Sequence, residues 1–89
     1  MVVEKLSSAV YTPLDDGTGV LLNVETLVYF SLNRTAATVW QKIEAQKSPS
    51  FDDLIATLCQ KFDVSANTAR QEIDSFVRRL EQLGVVHLL

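Results

Sequence analysis

The hydrophobic period of this chain switches at Asn33. Before it, in "VLLNVETLVYFSL", apolar and β-branched residues favour a pleated backbone; after it, in "RTAATVWQKIEAQ", they recur at helical spacing. Residues 6–12 ("LSSAVYT"), 20–24 ("VLLNV") and 27–32 ("LVYFSL") read as three strands. The turn signal "PLDDGTG" at 13–19 joins the first two, and Glu25-Thr26 reverse the chain into the third. Connections this short make neighbours antiparallel. In strand three, Val28, Phe30 and Leu32 share the face expected to meet a core, while Leu27, Tyr29 and Ser31 share the other.

Asn33 is placed to cap the first helix, expected over 34–46 with Ala36, Val39, Trp40 and Ile43 inward. Ser50 and Asp53 have capping-box spacing for a second helix whose inner stripe is Phe51, Leu54, Ile55, Leu58 and Phe62. Ser65 caps the third, expected over 66–83 and stopped by Gly84 as a left-handed residue. At about 100° per residue, Ala69, Ile73, Phe76, Leu80 and Leu83 fall in one arc, with Val77 on its flank beside Arg70. The closing "VVHLL" packs back or adds a short strand. The expected fold is α+β: a three-stranded antiparallel sheet followed by three helices, resembling a winged helix-turn-helix. With 89 residues, positions 1–89 form a single domain.

Catalysis needs converging groups, and the sequence offers few. His87 is the one histidine and Cys59 the one cysteine; no His/Cys spacing suits a metal, and "DDGTG" lacks the lysine of a phosphate loop. Cys59 reads as a partly buried filler and His87 as a terminal packing or solvated residue. Asp15-Asp16 suits a turn, and Asp52-Asp53 suits a helix N-terminus. No enzyme activity and no cofactor are expected. The net charge of −3, with signs interleaved, argues against nucleic-acid or anionic-membrane binding. No apolar run approaches the ~20 residues of a membrane span, and "MVVEKLSSAV" lacks a signal-peptide core, so a cytoplasmic protein is expected.

Two binding surfaces compete. The second and third helices have the outline of a DNA-reading pair, with Arg70, Arg78 and Arg79 available for phosphates, but Glu72, Asp74 and Glu81 offset them. The other surface is strand three. If strand two lies in the middle, strand three has a free edge, and residues 27–32 hold no Lys or Pro to blunt it. A peptide can join such an edge as an extra strand; helix three could instead simply cover it, or a second copy of the chain could pair there.

The run "GVLLNVETLVYFSLNRTAATVWQKI", followed by "LIATLCQKFDVS", "EIDSFVRRL" and "LGVV", resembles the PqqD-like family, the precursor-peptide recognition elements of ribosomally made and modified peptides. The resemblance covers about residues 9 to 86, and the aromatic pair before "SLN" looks closest to the stand-alone leader-binding proteins of lasso-peptide pathways. It implies a domain without catalysis that binds a precursor's leader as an added strand. The expected partner enzyme is a leader protease followed by a cyclase, or a radical SAM enzyme in the pyrroloquinoline quinone type of pathway. The protein itself is expected as a monomer or weak homodimer. Mapped here, the resemblance puts the ladder on Leu27, Val28, Tyr29, Phe30, Ser31 and Leu32, and the helical wall on Arg70, Ile73, Asp74, Val77 and Glu81.

Overall fold

The computed structural model describes all of residues 1–89. Five strands and three helices follow in the order β1 (Val3–Lys5), β2 (Ala9–Pro13), β3 (Gly19–Asn23), β4 (Val28–Leu32), α1 (Arg34–Ala45), α2 (Phe51–Lys61), α3 (Ala66–Leu83) and β5 (Val86–Leu88). The expected meander is β2-β3-β4, antiparallel throughout, with β3 in the middle. Two boundaries differ from the sequence reading. The first meander strand starts at Ala9, and Leu27 lies in the turn with φ 62 rather than in β4. A second sheet pairs β1 with β5, so "VVHLL" does add a strand and meets a partner unforeseen at the N-terminus. There Val3 is wholly buried, and its N–H donates to Pro49 O (2.9 Å), which fixes β1 between β5 and the α1–α2 loop.

Each helix begins at the cap read from the sequence. Asn33 Oδ1 accepts from the Ala36 N–H (2.8 Å), and Ser65 Oγ accepts from the Thr68 N–H (3.1 Å). Ser50 and Asp53 form the reciprocal box, with Asp53 N–H donating to Ser50 Oγ and Ser50 N–H to Asp53 Oδ2, each at 3.1 Å. Gly84 takes φ 82 at the end of α3, and a Cβ there would press on the Asn23 amide.

One core joins these elements, built on Leu21 and Leu32 from the sheet, Trp40, Ile43, Leu54 and Leu58 from α1 and α2, and Ile73, Val77 and Leu80 from α3. Val77 has no exposed surface, so it is a core residue and not a flank open to a ligand. Cys59 is exposed rather than a partly buried filler, because the buried residues of α2 are Leu54, Ile55, Thr57 and Leu58. His87 is exposed in β5, across from Glu4. No helix is long and apolar enough to cross a membrane.

The Ser50 backbone N–H, and then its hydroxyl, hold the Asp53 carboxyl below its usual range. A carboxylate with a depressed folded-state pKa stabilises above its unfolded value, about 3.9, and loses that contribution as pH falls through the folded value. Stability measured by urea denaturation should therefore drop more between pH 5 and pH 3 in the wild type than in Asp53→Asn. Parallel pH profiles for the two proteins would contradict the role of this box.

Candidate functional site

The phase of the hydrogen-bond ladder decides what each sheet edge offers. Leu14 N–H donates to Thr18 O and Val24 N–H to Ser8 O, both at 2.9 Å, so Val20 and Leu22 of β3 carry the bonded pairs toward β2. Bonding direction alternates along an antiparallel strand. Gly19, Leu21 and Asn23 therefore turn their backbone groups to β4, where their partners are Leu32, Phe30 and Val28. The N–H and C=O of Tyr29 and Ser31 are left pointing away from the sheet, and β4 pairs with no strand but β3.

The opposite edge is blunted. By the same alternation, Ala9, Tyr11 and Pro13 of β2 face outward. Pro13 has no N–H to offer, and the Ala9 N–H already donates to Leu6 O (3.2 Å). On β2 the Tyr11 N–H alone is left outward and unpaired, whereas β4 turns out two in succession, those of Tyr29 and Ser31.

A groove runs beside this edge. The β4 and α3 backbones barely approach each other, and side chains bridge the space between them. Phe30 lies tilted against Phe76, with ring centroids 6.5 Å apart, and the Arg79 guanidinium sits 5.2 Å from the Phe30 centroid. At one end the joint is Asn23, whose side chain is buried. Its Nδ2 donates to Leu83 O (2.8 Å), while its Oδ1 accepts from Glu25 N–H (2.9 Å) and Thr26 N–H (3.3 Å). One amide thus ties the β3–β4 turn to the last turn of α3. At the other end, past Leu32, the groove opens into a cleft of about 400 Å³ between the start of α1 and the middle of α3. Its floor includes Val39, Ile73 and Phe76, and its rim includes Asn33, Glu72 and Arg79. β4 and α3 consequently run in opposite directions along the groove.

Of the residues expected at the site, Val28 to Leu32 do form an edge strand, but only Tyr29 and Ser31 turn their backbone outward. Leu27 sits in the turn, with its N–H donating to Asn23 O (2.8 Å). Ile73 lies on the floor of the cleft. Val77 is buried in the core. Arg70, Asp74 and Glu81 lie more than about 100° round the helix from Arg79, on its far flank. There Asp74 pairs with Arg78 (3.1 Å). The flank that faces β4 carries Glu72, Phe76, Arg79 and Leu83. The sequence signal for it was present, since Phe76 and Leu83 stand at one side of the apolar arc and are only half-buried. No group of three or more His, Cys, Asp or Glu side chains converges anywhere in the structure.

The site is thus an open sheet edge beside a groove walled by a helix. The family profile described as "Coenzyme PQQ synthesis protein D (PqqD)" matches residues 18–86, from the β2–β3 turn through the start of β5, and the chain belongs to that family. Its fold is similar to two solved structures. One is TbiB1 in complex with the TbiA(beta) leader peptide, 21% identical over 97% of this chain and 96% of that one, with a TM-score of 0.86. The other is a lasso peptide synthetase B1 complexed with the leader peptide, 24% identical over 97% of this chain and 98% of that one, with a TM-score of 0.78. No curated protein sequence matches the chain.

The two flanks of α3 should respond differently to substitution. Val77→Asp buries an unpaired charge and should cost more than about 3 kcal/mol in urea unfolding. Arg70→Ala, on the exposed far flank, should stay within about 0.5 kcal/mol. Comparable losses would contradict the assigned faces.

Proposed function

We propose that this protein is a non-catalytic module that captures the leader segment of a ribosomally made precursor peptide. The leader joins β4 as an added strand, in the groove against α3, and is delivered to a leader protease with its cyclase or to another modifying enzyme. The observation that carries this reading is the asymmetry of the sheet: the β2 edge is blunted, whereas the Tyr29 and Ser31 backbone groups stand open beside an apolar groove. Membership of the PqqD family and a fold shared with two leader-complexed proteins support it. The setting is the cytoplasm, where a ribosomal product first appears.

Magnitudes show why both edge and groove are needed. Ordering a free chain costs about 1–2 kcal/mol per residue in backbone entropy. Two outward N–H and two outward C=O groups offer roughly four main-chain bonds, each worth about 1 kcal/mol net. The ladder alone does not hold even a five-residue strand. Apolar leader side chains buried against Phe30, Phe76 and the cleft, at about 25 cal/mol per Å², must supply the remainder. The ladder then fixes register while the groove fixes affinity and sequence preference. A captured leader raises the concentration of its core segment at an enzyme held by the same complex, so the protein accelerates chemistry without touching a reacting bond.

Ser31→Pro removes an outward donor without removing a β3–β4 bond, so the variant should fold and bind a synthetic precursor leader at least about tenfold more weakly than the wild type by calorimetry, since a lost hydrogen bond and a displaced strand exceed about 1.4 kcal/mol. Unchanged affinity in the folded variant contradicts strand addition at β4. Leader binding should also vary little with salt. Tight binding of random duplex DNA with a steep salt slope would instead favour a DNA-binding regulator.

A further inference from the structure

The groove carries a fixed pattern of charge that strand addition does not require. Arg79 is held over the Phe30 ring, lines the cleft, and has no carboxylate within ion-pair distance; the two ion pairs present are Lys5–Glu44 and Arg78–Asp74. Its planar cation, with one face on an aromatic ring, keeps its N–H groups free for a partner. Glu72 lies on the same rim, toward the mouth of α1, and it too is unpaired. These two are seven positions apart on one side of α3, a rise of about 10 Å, which matches about three residues of an extended strand. Between them lies the apolar floor of Val39, Ile73 and Phe76.

We propose that the groove selects its ligand by this polarity. The bound peptide carries a carboxylate side chain where it crosses Phe30, opposite Arg79. Two residues further toward the cleft, and so on the same face of the strand, it carries a bulky apolar side chain that enters the cleft, and Glu72 excludes a second acid there and favours a basic neighbour. The unequal ends give the peptide one direction along β4, which backbone bonding alone does not dictate. An added strand shields the Arg79 pair from water, so the charge acts more strongly in the complex than on the free surface. The inference rests on strand addition at β4 and adds the chemistry of the ligand.

The test uses a random twelve-residue peptide library displayed on phage and selected on the intact wild-type protein, on Arg79→Glu and on Glu72→Arg. All three proteins should melt alike, since both side chains are exposed. Wild-type selections should enrich Asp or Glu at a fixed offset from a bulky apolar residue. Synthetic peptides from that pool should lose about tenfold in affinity on Arg79→Glu and regain it when their carboxylate is changed to lysine, a swing of about 1.4 kcal/mol each way. Glu72→Arg should admit a second acid on the cleft side. Peptides that need the β4 edge, shown by their loss on Ser31→Pro, but that ignore both charge changes would overturn the polarity while leaving strand addition intact. A library that yields no binder sensitive to Ser31→Pro would overturn both.

Discussion

An antiparallel strand sends its hydrogen-bonding groups alternately to either side, and that alternation governs everything this small sheet can do. Because Val20 and Leu22 bond to β2, Leu21 and Asn23 must bond to β4, and Tyr29 and Ser31 are left facing outward. The same phase at the other edge exposes Pro13, which has nothing to donate, and Ala9, whose N–H is already engaged, and leaves Tyr11 as its one outward donor. A one-residue slip would exchange these roles. Register is pinned where Gly19 lies under the Tyr11 ring, since any side chain at that position would collide with it. The turn at Asp16 and the Arg34 bond to Asp16 O (2.8 Å) add a second anchor between the meander and α1.

An open edge becomes a binding groove only if something holds a wall at the right distance. Asn23 does this at one end by joining the β3–β4 turn to Leu83, and Ser8 supports it through its hydroxyl on Gly84 O (2.8 Å). At the other end the chain passes from β4 directly into α1, whose buried Trp40 and Ile43 fix it on the core. Between these ties α3 cannot collapse onto β4, and Phe30, Phe76 and Arg79 occupy the gap with side chains rather than backbone. The buried face of α3 thus belongs to the core, while its half-buried face lines the groove.

Much of this was legible in the sequence. The change of period at Asn33, the caps at Asn33, Ser50 and Ser65, and the stop at Gly84 are local events, and each emerged where local chemistry placed it. The free third strand of the meander was legible too, since short turns leave little choice of strand order. What escaped was long-range. β1 is three residues whose pairing with β5 depends on the two ends of the chain meeting, which no local pattern encodes. The resemblance put the helical wall on Arg70, Ile73, Asp74, Val77 and Glu81, and the apolar arc was drawn through Phe76 and Leu83 as well as the core. Burial centres it instead on Ala69, Ile73, Val77 and Leu80, which turns Phe76 and Arg79 toward β4 and carries Arg70, Asp74 and Glu81 away from it. Leu27 illustrates the same limit on a smaller scale: an apolar residue at a strand boundary was taken up by a four-residue turn in the left-handed region.

The most direct measurement is amide hydrogen exchange by NMR on the folded protein, with and without a synthetic precursor leader that it binds. The account predicts that Phe30 and Leu32 amides are protected in both states, while Tyr29 and Ser31 amides exchange freely alone and become protected in the complex. Protection of Tyr29 and Ser31 in the free monomer, or their continued rapid exchange when the leader is bound, would contradict it.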